Sequence, residues 1–589
     1  MSFIITLFQK AISSFRRFPL VLTWVTLGSI FMIILFGTGD YDMISKFENV
    51  NYTLILGVSW LIGVQFLSES FAHNTTSRIV YKVLCIFGLG LFYYYLEYLE
   101  EDFSEIAVGR WLLLLLAGHV FIIFSSFIKS WQTSKFWNYL KAIAYALLRS
   151  LIYSLVLFIG LSLAIVALEF LFDADFNDYI YLQNFIFCLG IVNTFIYLSD
   201  FPKVEDLEES IDFNKAIEVL ILYILIPLSL LYIVIVYAYA LKILFQWELP
   251  RGWVTYLISA LSLLAFVIHI AIEPIRKAHS AKLVNRFFPY YFYAIIPLLP
   301  LLFIALWKRI SDYNFTELRY LGFLLAIWIS VMLIYMLISN SRNLSYYAKL
   351  LFVFIAISTF GPLSAFKISV NAQLSELEQI MVDLEKREKK EFTNEEYTRF
   401  SSIVKYLHNR NALARTEAFL GFDPNTAFSK ASAYGLPKKI ADTLQIDILK
   451  PEYANSKIFR SYNLRRFKAN YAEEITDYTY YTELRLDTEV DEYMALQMAV
   501  DENNVISFNY YGEALFESDM TSHLKAMADN YDNLSEASQD EFTFRFKNQK
   551  GDFLLIFSRL SFNYQNQKVE ILNGEVKLFY RTFMALELP

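Results

Sequence analysis

From Phe18 to Phe366 the chain alternates long apolar runs with short charged loops, and beyond Lys367 that alternation stops. A spanning helix needs about 20 mostly apolar residues. The template predicts spans at Phe18 to Phe36, Tyr52 to Leu67, Ile79 to Leu96, Trp111 to Ile128, Ala142 to Leu168 and Tyr179 to Leu198. It continues through Ala216 to Ala240, Trp253 to Ile272, Tyr290 to Trp307, Tyr320 to Ile338 and Tyr346 to Phe366. Lys10, Arg16 and Arg17 precede the first run, which is longer than a signal core of roughly 7 to 15 residues and has no small-residue cleavage pattern after it, so it is expected to stay as an uncleaved span.

After Lys367 the period changes. Leu374, Leu377 and Met381 recur at helical spacing up to the charged run Glu385 to Glu391, and Thr393 with Glu396 has the spacing of a capping box that opens another helix. Further helices are expected near Ala412 to Leu420 and from Pro437. Thr479 to Leu486, Val505 to Tyr511, Phe542 to Phe546 and Phe553 to Leu560 read as strands, and Asn573-Gly574 reads as a hairpin turn between Val569 to Leu572 and Val576 to Tyr580. The predicted fold is a polytopic α-helical membrane bundle of about 11 transmembrane helices with a C-terminal α+β soluble domain. Its expected parts are a bundle over 1–366, a helical connector over 367–392 and the α+β domain over 393–589.

Composition agrees with a membrane chain: 56% of the 589 residues are hydrophobic, against about 45 to 50% in soluble domains. The net charge of -8 comes with no basic stripe, so no nucleic-acid partner is indicated. Cys85 and Cys188 both fall inside apolar runs, where they act as small hydrophobes.

The distribution of charge gives an orientation, because basic loops stay in the cytoplasm. Arg16 and Arg17 are matched by Arg78 and Lys82, then Lys129, Lys135 and Lys141, then Arg276, Lys277, Lys282 and Arg286, and last by Arg342 and Lys349. The loops between carry Asp40, Asp42 and Glu48, then Glu97, Glu100, Glu101, Asp102 and Glu105, then Glu169, Asp173, Asp175 and Asp178. Two loops fit less well: Glu205 to Asp212 is acidic though inside, and the outer loop carries Lys308, Arg309 and Arg319. The expectation is a cytoplasmic N-terminus and an extracytoplasmic C-terminal domain.

Catalytic signatures are sparse. The chain has no phosphate loop, dinucleotide glycine pattern, paired-cysteine site or zinc-protease helix, so no cofactor or metal is implied. Asp40 and Asp42 follow the first span on the expected outer side, where multi-spanning lipid-linked sugar transferases place an acidic catalytic loop, although a solvated helix end is the plainer explanation. Four groups fall inside apolar runs or directly at their end: Arg149, Glu218, His269 and Glu273. An unpaired ion there costs at least about 2.5 to 3.5 kcal/mol, so they form a candidate intramembrane polar cluster of the kind a transporter uses. Arg149 snorkelling to the interface and Glu273 with Pro274 ending a helix are the structural alternatives.

Two short segments carry a resemblance. Arg17-Phe18-Pro19-Leu20 at the first span, and Tyr313-Asn314-Phe315-Thr316-Glu317-Leu318-Arg319-Tyr320 between two late spans, resemble the basic-Phe-Pro-Leu opening and the Tyr-Gly-x-Thr-Glu-x-Arg-Tyr turn of a bacterial membrane family, domain of unknown function 4153. Asn314 stands where that family usually has glycine, and asparagine also enters left-handed turns. The resemblance implies an inner-membrane location and supplies no catalytic residues. The expected function is envelope interaction, sensing or assembly, with the lipid bilayer and an envelope protein bound through the C-terminal domain as partners. A small-solute or ion transporter and an envelope group transferase are the rivals.

Overall fold

The apolar runs are helical, because a backbone in hydrocarbon has to pair its own N–H and C=O groups. In a computed structural model the described residues are 12–71, 74–99, 104–129, 131–177, 179–203, 207, 215–246, 253–272, 290–339, 343–429, 433, 435–448, 460–465, 477–487, 495–501, 503–530, 539–565 and 568–582. They divide into two compact units, Met1–Asp447 and Ile448–Pro589.

Among the described residues of the first unit, ten helices are long and apolar enough to cross a membrane. They are α1 (Pro19–Gly37), α2 (Glu48–Phe71), α3 (Thr75–Tyr98), α4 (Glu105–Phe127), α5 (Thr133–Phe172), α6 (Ile180–Ser199), α7 (Lys215–Gln246), α8 (Val254–Ile272), α9 (Tyr290–Tyr313) and α10 (Glu317–Ile338). A shorter apolar helix, α11 (Ser345–Thr359), follows. The run expected to continue to Phe366 stops early because Gly361 and Pro362 interrupt it, and Ser364 then accepts a bond from the Lys367 N–H to cap α12 (Ala365–Glu385). Almost none of the apolar window of α5 is buried, which leaves it facing lipid. α2 and α4 pack closely, so that a Cβ on Gly118 would collide with the side chain of Ser59.

Hydrogen bonds between helix ends show which ends lie together. At one end, Arg17 reaches Glu69 and the carbonyl of Phe201, the Ser70 hydroxyl donates to the Ser125 carbonyl, Trp137 donates to the Ala271 carbonyl, and Lys349 donates to the Phe127 carbonyl. At the other end, Asn177 donates to the Gly37 carbonyl, Asn49 to Glu97 and Trp111 to the Tyr52 carbonyl, while Phe360 meets the Tyr95 ring. The start of α11 therefore lies at the Arg17 end of the bundle and its finish at the opposite one.

Beyond α12, the helices α13 (Asn394–Asn409) and α14 (Leu436–Thr443) fold back on it around Leu377, Leu384, Phe400, Leu407 and Ile440. The Thr393–Glu396 capping box is present in both directions. The stretch expected as a helix near Ala412 to Leu420 is a 3-10 turn (Leu413–Thr416) running into one α turn (Glu417–Leu420). This helical neck belongs to the same compact unit as the bundle, Met1–Asp447.

The second unit contains β1 (Arg460–Arg465), β2 (Tyr480–Asp487), β3 (Gln497–Val500), β4 (Val505–Tyr510), β5 (Glu513–Asp519), helix α15 (Thr521–Asn530), β6 (Thr543–Lys547), β7 (Gly551–Gln565) and β8 (Lys568–Thr582). The strand order is β1-β7-β8-β2-β3-β4-β5, with β6 pairing β7. Phe508, Phe553, Phe557, Leu524 and Leu578 meet in its core. Asn573 and Gly574 do not form the expected turn: they lie inside β8, opposite Ser561 and Leu560, between two register shifts. Gly574 is required there by close approach, since a Cβ would stand 2.8 Å from a Leu486 methyl and 3.2 Å from the Arg559 carbonyl.

Glu273, the basic positions Arg276, Lys277, Lys282, Arg286 and Arg342, and the acidic positions Glu100, Glu101, Asp102, Asp178, Glu205 and Asp212 lie outside the described residues.

Candidate functional site

Charge inside the first unit is gathered at the two ends of the bundle. At one end Arg17, just ahead of α1, makes a two-pronged pair with Glu69 at 3.1 and 2.9 Å and donates to the carbonyls of Phe201 at 2.7 Å and Pro202 at 3.1 Å. Gln65, one turn before Glu69, donates to the same carboxylate at 2.8 Å. The guanidinium also lies 4.8 Å from the Phe18 ring and 5.6 Å from the Phe66 ring. The planar fork of arginine suits a carboxylate plus carbonyls, and its stacking on rings suits a half-apolar site. The basic-Phe-Pro-Leu segment therefore ties α1, α2 and the exit from α6 together.

Arg149 works on the same segment from α5, pairing with Asp200 at 2.8 Å. Asp200 directly precedes the two carbonyls that Arg17 holds, so Arg149 lies level with the end of α6. At 1.5 Å per residue a helix of 40 residues is about 60 Å long, twice the hydrocarbon thickness, and α5 extends well past that level. His269 is fully buried near the end of α8, with its ring 5.0 Å from Phe292 and 6.4 Å from Tyr347. Glu218 lies in the first turn of α7, which passes into a π-helical stretch at Leu220–Leu225. Of the four intramembrane positions, then, Arg149 is joined to Asp200, His269 is set among aromatic rings, Glu218 stands at a helix start and Glu273 is outside the described residues.

Asp40 caps the short helix Tyr41–Lys46, accepting from the N–H groups of Asp42 at 3.0 Å and Met43 at 3.3 Å, and Asp42 occupies its first turn. Among the described residues no group of three or more His, Cys, Asp or Glu side chains is arranged to hold a metal.

The opposite end carries the more extensive network, and sequence reasoning missed its centre. Arg410, at the end of α13, donates from Nε to Glu317 at 2.8 Å and pairs with Glu105, to which Asn409 also donates at 3.3 Å. The Tyr406 hydroxyl donates to Glu317 at 2.8 Å. Burial, reinforced by the Glu317 carboxylate, raises the Tyr406 hydroxyl above its ordinary range and keeps it a donor. Burial works against the Arg410 charge, but Glu317 and Glu105 outweigh it and carry its pKa upward.

The turn ahead of Glu317 is held as firmly. Asn314 has φ 56° and ψ -176°, a conformation that belongs almost wholly to glycine. Its side chain compensates by donating to the Ala372 carbonyl at 3.1 Å and to Glu376 at 3.3 Å. Gln373 answers from α12 with bonds to the carbonyls of Tyr313 at 3.0 Å and Phe315 at 2.9 Å. The segment Tyr313 to Tyr320 is thus the socket in which the neck is seated, and Arg410 closes it. These bonds fix the neck to the ends of the spans.

A Pasteurella multocida (strain Pm70) protein described as "Uncharacterized protein PM1469" is 26% identical over 224 residues, 37% of this chain and 37% of that protein. The chain thus matches little more than a third of that relative's length. No solved structure matches the chain. The family model described as "Domain of unknown function (DUF4153)" matches residues 56–384, more than half of the chain and a span that includes the Tyr313 to Tyr320 socket, so the chain belongs to that family of multi-pass membrane proteins.

Proposed function

We propose that the protein is an envelope interaction, sensing or assembly component of the bacterial inner membrane, with the N-terminus in the cytoplasm and the Ile448–Pro589 unit in the periplasm. The observation that carries this is the seating of the neck in the Asn314–Glu317 socket by Arg410, at the end of the bundle opposite Arg17. A neck seated in this way leaves the bundle at the end opposite Arg17. The cytoplasmic assignment of the Arg17 end rests on Arg16, Arg17, Arg78, Lys129 and Lys135, which all lie toward it. A transport role draws less support, since Arg149 is engaged by Asp200 and His269 by aromatic rings.

The test is photocrosslinking in living cells from the exposed positions Tyr481 and Tyr511. The proposal expects discrete adducts with envelope proteins at one or both positions, absent from a control position on the lipid face of α5. Uniform absence of adducts, together with normal expression, would count against an interaction role.

A further inference from the structure

A cavity of about 660 Å³ lies between α2, α3 and α4, and its lining is overwhelmingly apolar. Its walls follow the helix axes, from Leu56 to Leu67 on α2 and from Tyr81 to Tyr95 on α3. At 1.5 Å per residue the α3 wall is about 21 Å long, against about 30 Å for the whole hydrocarbon layer and about 15 Å for one leaflet. Such a groove has the form of a linear chain, not of a compact solute.

Its two ends differ. Tyr95 and Phe360 line one of them, and their rings meet edge to face at 5.5 Å to close it. Leu67 and Tyr81 line the other, at the Arg17 end, where Leu67 stands two residues before Glu69 and a tyrosine suits the boundary between hydrocarbon and headgroups. Along its side the groove is open to lipid. Leu84 and Leu91 line it and yet remain 59% and 53% exposed, and a Cβ on Gly88 between them would meet nothing within 4 Å. Water does not suit these walls, because a buried water needs several polar partners.

We propose that this groove takes one acyl chain of a phospholipid from the leaflet at the Arg17 end, with the terminal methyl group toward Tyr95 and Phe360. The bilayer supplies the chain through the opening along α3, so the groove continues the lipid-facing surface of the bundle. Recognition is by hydrocarbon alone and selects no headgroup. The proposal does not depend on which compartment residues 448–589 occupy.

The experiment uses the full-length protein in phosphatidylcholine nanodiscs doped with one of two phosphatidylcholines, identical except that a photoreactive diazirine sits beside the acyl carbonyl or at the chain terminus. Adducts are mapped by peptide mass spectrometry. The informative positions are Leu56, Val64 and Phe92, which line the groove but are buried, so that lipid outside the groove does not reach them. The carbonyl-side probe should mark Val64, and the terminal probe Leu56 and Phe92. Leu61, equally buried on α2 but not part of the groove wall, should stay unmarked with both. Gly88→Trp fills the middle of the groove and should abolish the Leu56 adduct, whereas Gly160→Trp, at an equally open glycine on α5, should leave both maps unchanged. If Gly88→Trp does not fold, the two wild-type maps decide. Adducts confined to exposed residues such as Val83 and Phe87, or the two probes marking the same buried positions, would overturn the proposal. So would a folded Gly88→Trp variant that keeps the wild-type map.

Discussion

Arg410 donates its Nε to Glu317 at 2.8 Å, joining the end of the neck helix α13 to the first turn of α10 across 93 residues of chain. Both side chains are largely withdrawn from solvent, at 16% and 12% exposure, so each charge depends on the other. The Tyr406 hydroxyl and the Glu105 carboxylate complete the cluster.

Removing Arg410 leaves the buried Glu317 carboxylate without its cation. Arg410→Ala is expected to destabilise the detergent-solubilised protein by about 3 to 5 kcal/mol, as measured for broken buried pairs. Glu317→Gln should do less harm, because an amide oxygen still accepts from Tyr406. Thermal unfolding of the two variants checks the order, and equal melting temperatures for Arg410→Ala and wild type would show that the cluster is not holding the neck.

Asn314 combines an unfavourable backbone with side-chain bonds that offset it. Asn314→Ala keeps the strain and loses the bonds to Ala372 and Glu376, for an expected loss of about 1 to 3 kcal/mol. Asn314→Gly relieves the strain and should be milder. Limited proteolysis within 386–393 reports on loosening of the neck, and Asn314→Ala should be cut faster than Asn314→Gly.

Glu396 gives the neck a pH dependence. Its bond to the Arg387 side chain, with added help from Thr393, outweighs burial and lowers its carboxyl to about 2. A carboxyl whose folded pKa is depressed contributes stability that is complete above the unfolded value and is lost as the pH falls toward the folded one. The difference in melting temperature between wild type and Glu396→Gln should therefore be largest at neutral pH and shrink between about pH 4.5 and 2. A gap that widened on acidification would be inconsistent with this assignment.

The second unit has its own core, built around Phe508, Phe553 and Leu578, and both cysteines of the chain lie in the first unit. A fragment covering residues 448–589 is expected to unfold in one cooperative transition that is indifferent to reductant. A broad, non-cooperative melt in circular dichroism would show that the fragment requires the first unit.

The spans were legible because hydrocarbon demands a long apolar helix whatever its neighbours are, and α2 through α10 differ from their expected runs chiefly at the ends. The last run was read too long because hydropathy does not register the interruption at Gly361 and Pro362. Asn573-Gly574 misled for a related reason: the pair is a strong turn signal in isolation, but inside β8 it serves a bulge, and glycine is there to clear Leu486. β5 escaped the sequence reading because Glu513, Glu517 and Asp519 dilute the apolar pattern on its exposed face. The candidate site was less legible still. The Tyr313 to Tyr320 segment was visible as a motif, but its partners Gln373 and Arg410 lie 58 and 93 residues away, and charges at such separations carry no local period. The same holds for Arg149 and Asp200, 51 residues apart.

The central proposal is that the N-terminus is cytoplasmic and residues 448–589 are periplasmic. Fusions of a periplasm-dependent phosphatase and of a cytoplasm-dependent fluorescent protein, placed at Lys135, at Asp175 and after residue 589, measure it directly. Phosphatase activity is expected at Asp175 and after residue 589, with fluorescence at Lys135. Fluorescence after residue 589, with Lys135 also fluorescent, would put both units' loops on one side and contradict the account.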